Sequence, residues 1–147
     1  MAQQTNTQMN EKVPTNYTLC IKRDCPKAAM CLRHKATLMI PADVMKWSIL
    51  SPAYLAQTEG ECPHYRSAEK VQYARGFVRM TSALTVKQAH VVKDSIVATF
   101  GMNMYYRMRR GERLITPTEQ EAIYQMLEQQ GITTRPEFDD YIEDYLW

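Results

Sequence analysis

The chain has 147 residues, 45% apolar and 23% charged, with a formal net charge of +2. That balance describes a folded globular protein and excludes a disordered or collagen-like chain. No apolar run approaches the roughly 20 residues of a membrane-spanning helix. The polar opening MAQQTNTQMN lacks the basic-then-apolar pattern of a secretory leader, so the expected location is the cytoplasm.

Residues 1–16 are expected to be a floppy tail. The remainder, 17–147, is expected to form a single compact domain with a cysteine-rich half (17–80) and a helical half (81–147). Pro14 precedes an extended lead-in to Cys20. Pro26 suits the first position of a helix running to about Leu38. Trp47–Leu50 reads as a short strand, and Ser51-Pro52 as a cap and first position of a short helix to Gln57. Val71–Met80 mixes β-formers with Arg75 and Arg79 and is the strongest strand candidate.

Thr85-Val-Lys-Gln88 has the form of a capping box, opening a helix to about Thr99 with Ala89, Val92, Ile96 and Phe100 on one face. Gly101 ends it. Met102–Arg110 forms a second helix, stopped by Gly111. Thr116-Pro-Thr-Glu119 is another capping box, for a helix to Gln130 that turns Ile123, Met126 and Leu127 inward. Pro136 is expected to start a last helix carrying an apolar stripe of Phe138, Tyr141, Ile142, Tyr145 and Leu146.

The four cysteines all fall in the first 62 residues, as Cys20-x4-Cys25-x5-Cys31 and a distant Cys62. Three nearby thiols plus one from elsewhere in the chain can close a tetrahedral metal site and couple metal binding to folding. Cytosolic thiols stay reduced, which favours metal binding over disulfides. The expected metal is Zn. An Fe–S cluster is the alternative, since its ligands also include Cys-Pro pairs and irregular spacings, and without a metal Cys31 would be a buried small apolar residue on the Pro26–Leu38 helix. His34 and His64 are alternative ligands to a thiol. Four thiolates would fill the coordination shell, and the chain has no phosphate loop, nucleophile elbow or His-Glu motif, so catalysis is not expected.

The net charge conceals a segregation. Met1–Tyr65 carries 7 Lys/Arg and 5 Asp/Glu, Arg66–Arg113 carries 10 and 3, and Leu114–Trp147 carries 1 and 8. A basic segment steers anionic partners, although basic and acidic segments can equally neutralise each other. Within the basic segment, Ile96–Gly111 resembles the helix-turn-helix of repressor-type and recombinase-type proteins, whose second helix enters the DNA major groove. That resemblance implies nucleic-acid contacts from Tyr105, Tyr106, Arg107, Arg109, Arg110 and Arg113. The chain departs from such motifs by about two residues, a helix rotation of roughly 200°. The alternative is a helical hairpin whose aromatics fill the core and whose arginines pair with the acidic tail.

Further stretches are Cys25-Pro-Lys-Ala-Ala-Met-Cys-Leu-Arg33, Cys62-Pro-His-Tyr-Arg66, Tyr73-Ala-Arg-Gly-Phe77, Phe100-Gly101, Tyr105-Tyr-Arg107 and Leu114-Ile-Thr-Pro-Thr-Glu-Gln120. In these the chain resembles a family of uncharacterised proteins from gut anaerobes of the Bacteroides type, catalogued as a domain of unknown function. The resemblance implies that 17–147 form one unit and brings no activity with it.

The expected fold is mostly α (α+β), with one or two short strands in a metal-stapled N-terminal half. The expected function is a metal-stabilised, nucleic-acid-binding transcriptional regulator with DNA as partner. The alternatives are a non-catalytic protein–protein interaction module with a structural four-cysteine site, and an Fe–S redox sensor.

Overall fold

The computed structural model describes residues 12–147, so the expected tail before residue 12 lies outside the described residues. The rest of that expected tail includes Val13, which is buried in a core. Among the described residues the fold is mostly α: six α-helices, two short 3-10 turns and a two-stranded antiparallel sheet, with 43% of those residues helical. The helices are α1 Leu32–Lys35, α2 Pro52–Gln57, α3 Val78–Ser82, α4 Val86–Phe100, α5 Met102–Arg109 and α6 Pro117–Gln129. The strands are β1 Lys70–Arg75 and β2 Asp140–Tyr145. Two compact units divide the chain: one ends at Lys70 and regains Tyr145–Trp147, and the other is Val71–Asp144.

The first unit packs Val13, Tyr17, Leu19, Leu32, Ala36 and Tyr145 together, with Trp47 and Trp147 at the margin. The expected helix from Pro26 to Leu38 is broken into 3-10 turns at Ala28–Met30 and Ala36–Met39 flanking the single turn of α1. The break falls at Cys31, whose backbone is extended (φ −94°, ψ 123°). There the chain pairs with residues 66–68: Leu32 N donates to Arg66 O at 2.7 Å and Ala68 N to Met30 O at 2.9 Å. These bonds replace helical ones and turn Cys31 out of any continuous helix. The expected strand at Trp47–Leu50 reduces to one parallel bridge, between Leu19 and Ile49.

The second unit is organised by its caps. The Thr85–Gln88 and Thr116–Glu119 capping boxes are both complete, satisfying backbone donors that a helix start otherwise leaves open. Val92 and Ile96 of α4, Tyr105 and Met108 of α5, and Ile123 and Leu127 of α6 share one core with Phe77, Met80 and Phe138.

Two expectations are corrected here. The strand from Val71 stops at Arg75, because Gly76 turns the chain at φ 72°. The Asp139 carboxylate then accepts from Val78 N at 2.9 Å and Arg79 N at 2.8 Å, starting α3. The last segment is strand β2, not a helix from Pro136. Asp139 is committed to α3, and the Asp140 carboxylate bonds Tyr141 N at 2.8 Å. Such local side-chain bonds oppose helix nucleation, while Tyr141, Ile142 and Tyr145 suit a strand.

Candidate functional site

All four cysteines belong to the first unit and all are free thiols. Cys20, Cys25, Cys31 and Cys62 line one cavity of about 20 Å³, together with His34 and His64. That volume holds about one water-sized sphere. Among the described residues no three Cys, His, Asp or Glu side chains converge as ligands of a single ion; the thiols stand around the cavity instead.

Arg33 ties the walls together. Its Nε donates to His64 O at 2.8 Å and its Nη1 to Thr18 O at 2.7 Å, joining the segments that carry Cys62 and Cys20. Cys20 N donates to Arg33 O at 3.1 Å, closing the same frame. His34 Nδ1 is buried without a hydrogen-bond partner. His64 Nε2 lies 3.4 Å from the Tyr54 hydroxyl. Cys20, Cys25 and Cys62 also line an adjoining groove of about 300 Å³, so three thiols stand between the inner cavity and a wider opening.

The second unit holds the basic candidates. On α5, Asn103, Tyr106 and Arg107 are exposed, as is Arg110 at its C-terminal cap, and Tyr105 and Met108 are buried. The exposed four recur at three- and four-residue steps, which sets them on one helical face. Beside that face a groove of about 530 Å³ is lined by Thr81, Ser82, His90, Lys93, Tyr106 and Arg109, among others, and by no carboxylate. Lys93 Nζ lies 3.3 Å from the Tyr106 hydroxyl and 5.5 Å above its ring.

The family model described as a family of unknown function (DUF6078) matches residues 1–147. The chain belongs to this family. No curated protein and no solved structure matches it.

The six nucleic-acid candidates of this DUF6078 chain separate into different roles. Tyr106 and Arg107 are exposed on α5, and Arg109 borders the groove. Arg110 is exposed but gripped by Glu112, with contacts of 2.7 and 3.2 Å. Arg113 makes a two-pronged pair with Glu119 at 2.7 and 2.8 Å, and Glu119 is also the acid of the α6 capping box. Burial raises the Glu119 carboxyl, and the bonds from Arg113 and Thr116 outweigh it, leaving it below its ordinary value. Arg113 is thus occupied in holding α6, and Tyr105 packs against Phe77 in the core at 5.6 Å between ring centroids. The acidic C-terminal segment makes no ion pair with Arg107, Arg109 or Arg110 among the described residues.

In this DUF6078 chain α4 and α5 are separated by Gly101 alone (φ 88°), whereas a DNA-reading helix-turn-helix has a turn of about three or four residues. The basic surface is therefore a helix face beside a groove. Two residues were absent from the sequence expectation: Lys93, and Asn103, which the spacing Asn103-Tyr106-Arg107-Arg110 could have revealed.

Proposed function

We propose that the chain binds duplex DNA through the exposed face of α5, with the neighbouring groove holding backbone phosphates. The observation that carries this reading is the sorting of α5. Its core side takes Tyr105 and Met108, and its solvent side presents Asn103, Tyr106 and Arg107, with exposed Arg110 just past its end. Arginine pairs with the guanine edge and asparagine with the adenine edge, and each good two-pronged contact discriminates by about 1–3 kcal/mol. The eight residues of α5 rise about 12 Å, a length the major groove admits. Lys93 and Arg109 are placed for phosphates, which position a protein without reading sequence. The role proposed with that binding is regulatory.

The test is fluorescence anisotropy with labelled duplexes over a salt series. Lys93, Arg107 and Arg109 have no ion pair among the described residues. Arg110 is discounted because Glu112 holds it. Lys93 and Arg109, as two phosphate contacts, give a log–log salt slope of about −1.8, or about a 12-fold loss between roughly 50 and 200 mM salt. Arg109→Ala should flatten that slope by about one contact, and Arg107→Ala should lose about 1–3 kcal/mol of base discrimination. An absence of binding at the lowest salt removes the reading.

A further inference from the structure

We propose that Cys20, Cys25, Cys31 and Cys62 bind one Zn²⁺ ion in the cavity of the first unit, as a closed structural site. This is independent of the DNA reading, which rests on residues of the other unit.

The four thiols come from two stretches of chain, residues 20–31 and residue 62, and line the same small space. Zinc in structural sites takes four ligands, with sulfur at about 2.3 Å, and cysteine quartets are among its standard shells. The cavity, at about 20 Å³, exceeds the roughly 10–15 Å³ that one small sphere needs. The frame around it is already built. Arg33 fixes the Thr18 and His64 carbonyls, and the Leu32–Arg66 and Ala68–Met30 bonds hold Cys31 beside residues 66–68. What zinc adds is the inward step of the sulfurs from the cavity wall to a common centre.

Charge and access agree with this. Four thiols would release four protons and leave a complex of charge −2. Lys27 and Arg33 line the inner cavity, and Lys22 lines the outer groove. Glu61 also borders the outer groove, but lies 3.8 Å from Lys27 as an exposed pair. The outer groove reaches Cys20, Cys25 and Cys62, which gives an ion a route to the thiols. His34, with its partnerless Nδ1, borders the cavity as a hydrogen-bonding neighbour for a bound thiolate. With four sulfurs bound there is no open position for substrate, which makes the site structural rather than catalytic.

The experiment uses the full chain, stripped with chelator under reducing conditions and titrated with Zn²⁺ alone. The expected results are one zinc per chain by elemental mass spectrometry and release of four protons in weakly buffered solution. All four cysteines should become protected from alkylation, and excess chelator should lose that protection. Co²⁺ in place of Zn²⁺ should give the thiolate charge-transfer band of a four-sulfur tetrahedral site.

Cys25→Ser and Cys62→Ser should lose stoichiometric zinc. His34→Gln should keep the cobalt band and weaken zinc binding by about 10- to 100-fold. The alkylation and proton measurements need no variant, so a serine variant that fails to fold leaves the test standing. A folded chain with all four thiols reactive in saturating zinc overturns the proposal. So does retention of full zinc by both serine variants. Loss of the cobalt band in His34→Gln overturns the four-sulfur ligand set, and a brown iron- and sulfide-containing protein overturns zinc.

Discussion

The turn between β1 and α3 offers a sharp test, because Gly76 and Asp139 depend on each other. Gly76 sits at φ 72°, where a side chain costs about 1–2 kcal/mol. A Cβ added there would lie 2.6 Å from Asp139 Oδ2 and 3.3 Å from Asp139 Cβ and Cγ. Alanine at Gly76 must therefore push the carboxylate off the Val78 and Arg79 amides. Those two bonds act as a cap supplied from a distant segment, and losing such a cap costs about 1–2 kcal/mol.

Asp139→Ala alone should then cost about 1–2 kcal/mol. Gly76→Ala alone should cost about 2–4 kcal/mol, backbone strain plus the displaced cap. The double variant should also cost about 2–4 kcal/mol, since the cap is lost only once. The coupling of about 1–2 kcal/mol exceeds the scatter of about 0.3–0.5 kcal/mol expected for independent sites. Urea unfolding followed by circular dichroism gives each value from the midpoint at constant slope. Additivity within about 0.5 kcal/mol would refute the argument that one carboxylate both caps α3 and excludes a side chain at residue 76.

Other outcomes can be checked alongside it. Met108→Ala, at a fully buried position of α5, should cost about 2–5 kcal/mol in the same urea assay. Arg107→Ala, one residue earlier and exposed, should stay within about 0.5 kcal/mol, so that its effect on DNA binding is read without a stability loss. The Glu119 carboxyl is held below its ordinary value of 4.5. Its contribution should be fully present above that value and fade as pH falls through the lower folded-state pKa. Glu119→Gln should therefore be less stable than the parent near neutrality, and the difference should shrink on acidification. A gap that stays constant down to strongly acid pH would show that charge plays no part in it.

The features legible in the sequence were the local ones. Ser51-Pro52, Thr85–Gln88 and Thr116–Glu119 carry both partners of each cap within four residues, so the starts of α2, α4 and α6 could be read directly. The cysteines were legible as a group, because their crowding into one stretch needs no knowledge of the fold. What escaped was set by distant partners. Cys31 is extended because residues 66–68 pair with its neighbours, and Asp139 is unavailable for a helix because its carboxylate serves Val78 and Arg79. Neither partner is visible in a local window of sequence. Arg113 is a different case. Its partner Glu119 lies six residues away, but a reading that sought cations for DNA passed over the pair.

Tyr145 is buried in the core of the first unit, and Trp147 stacks edge-on against Tyr17 at 5.1 Å. The unit that holds the cysteines is therefore discontinuous in sequence, with Val71–Asp144 as an insert. During synthesis, which proceeds at about 5–20 residues per second, every residue of the insert emerges before Tyr145 does. The earlier-encoded unit therefore cannot complete its core until the whole insert has been made. A chain truncated just before Tyr145 would carry every residue of the insert and lack Tyr145 and Trp147, which pack in the core of the first unit.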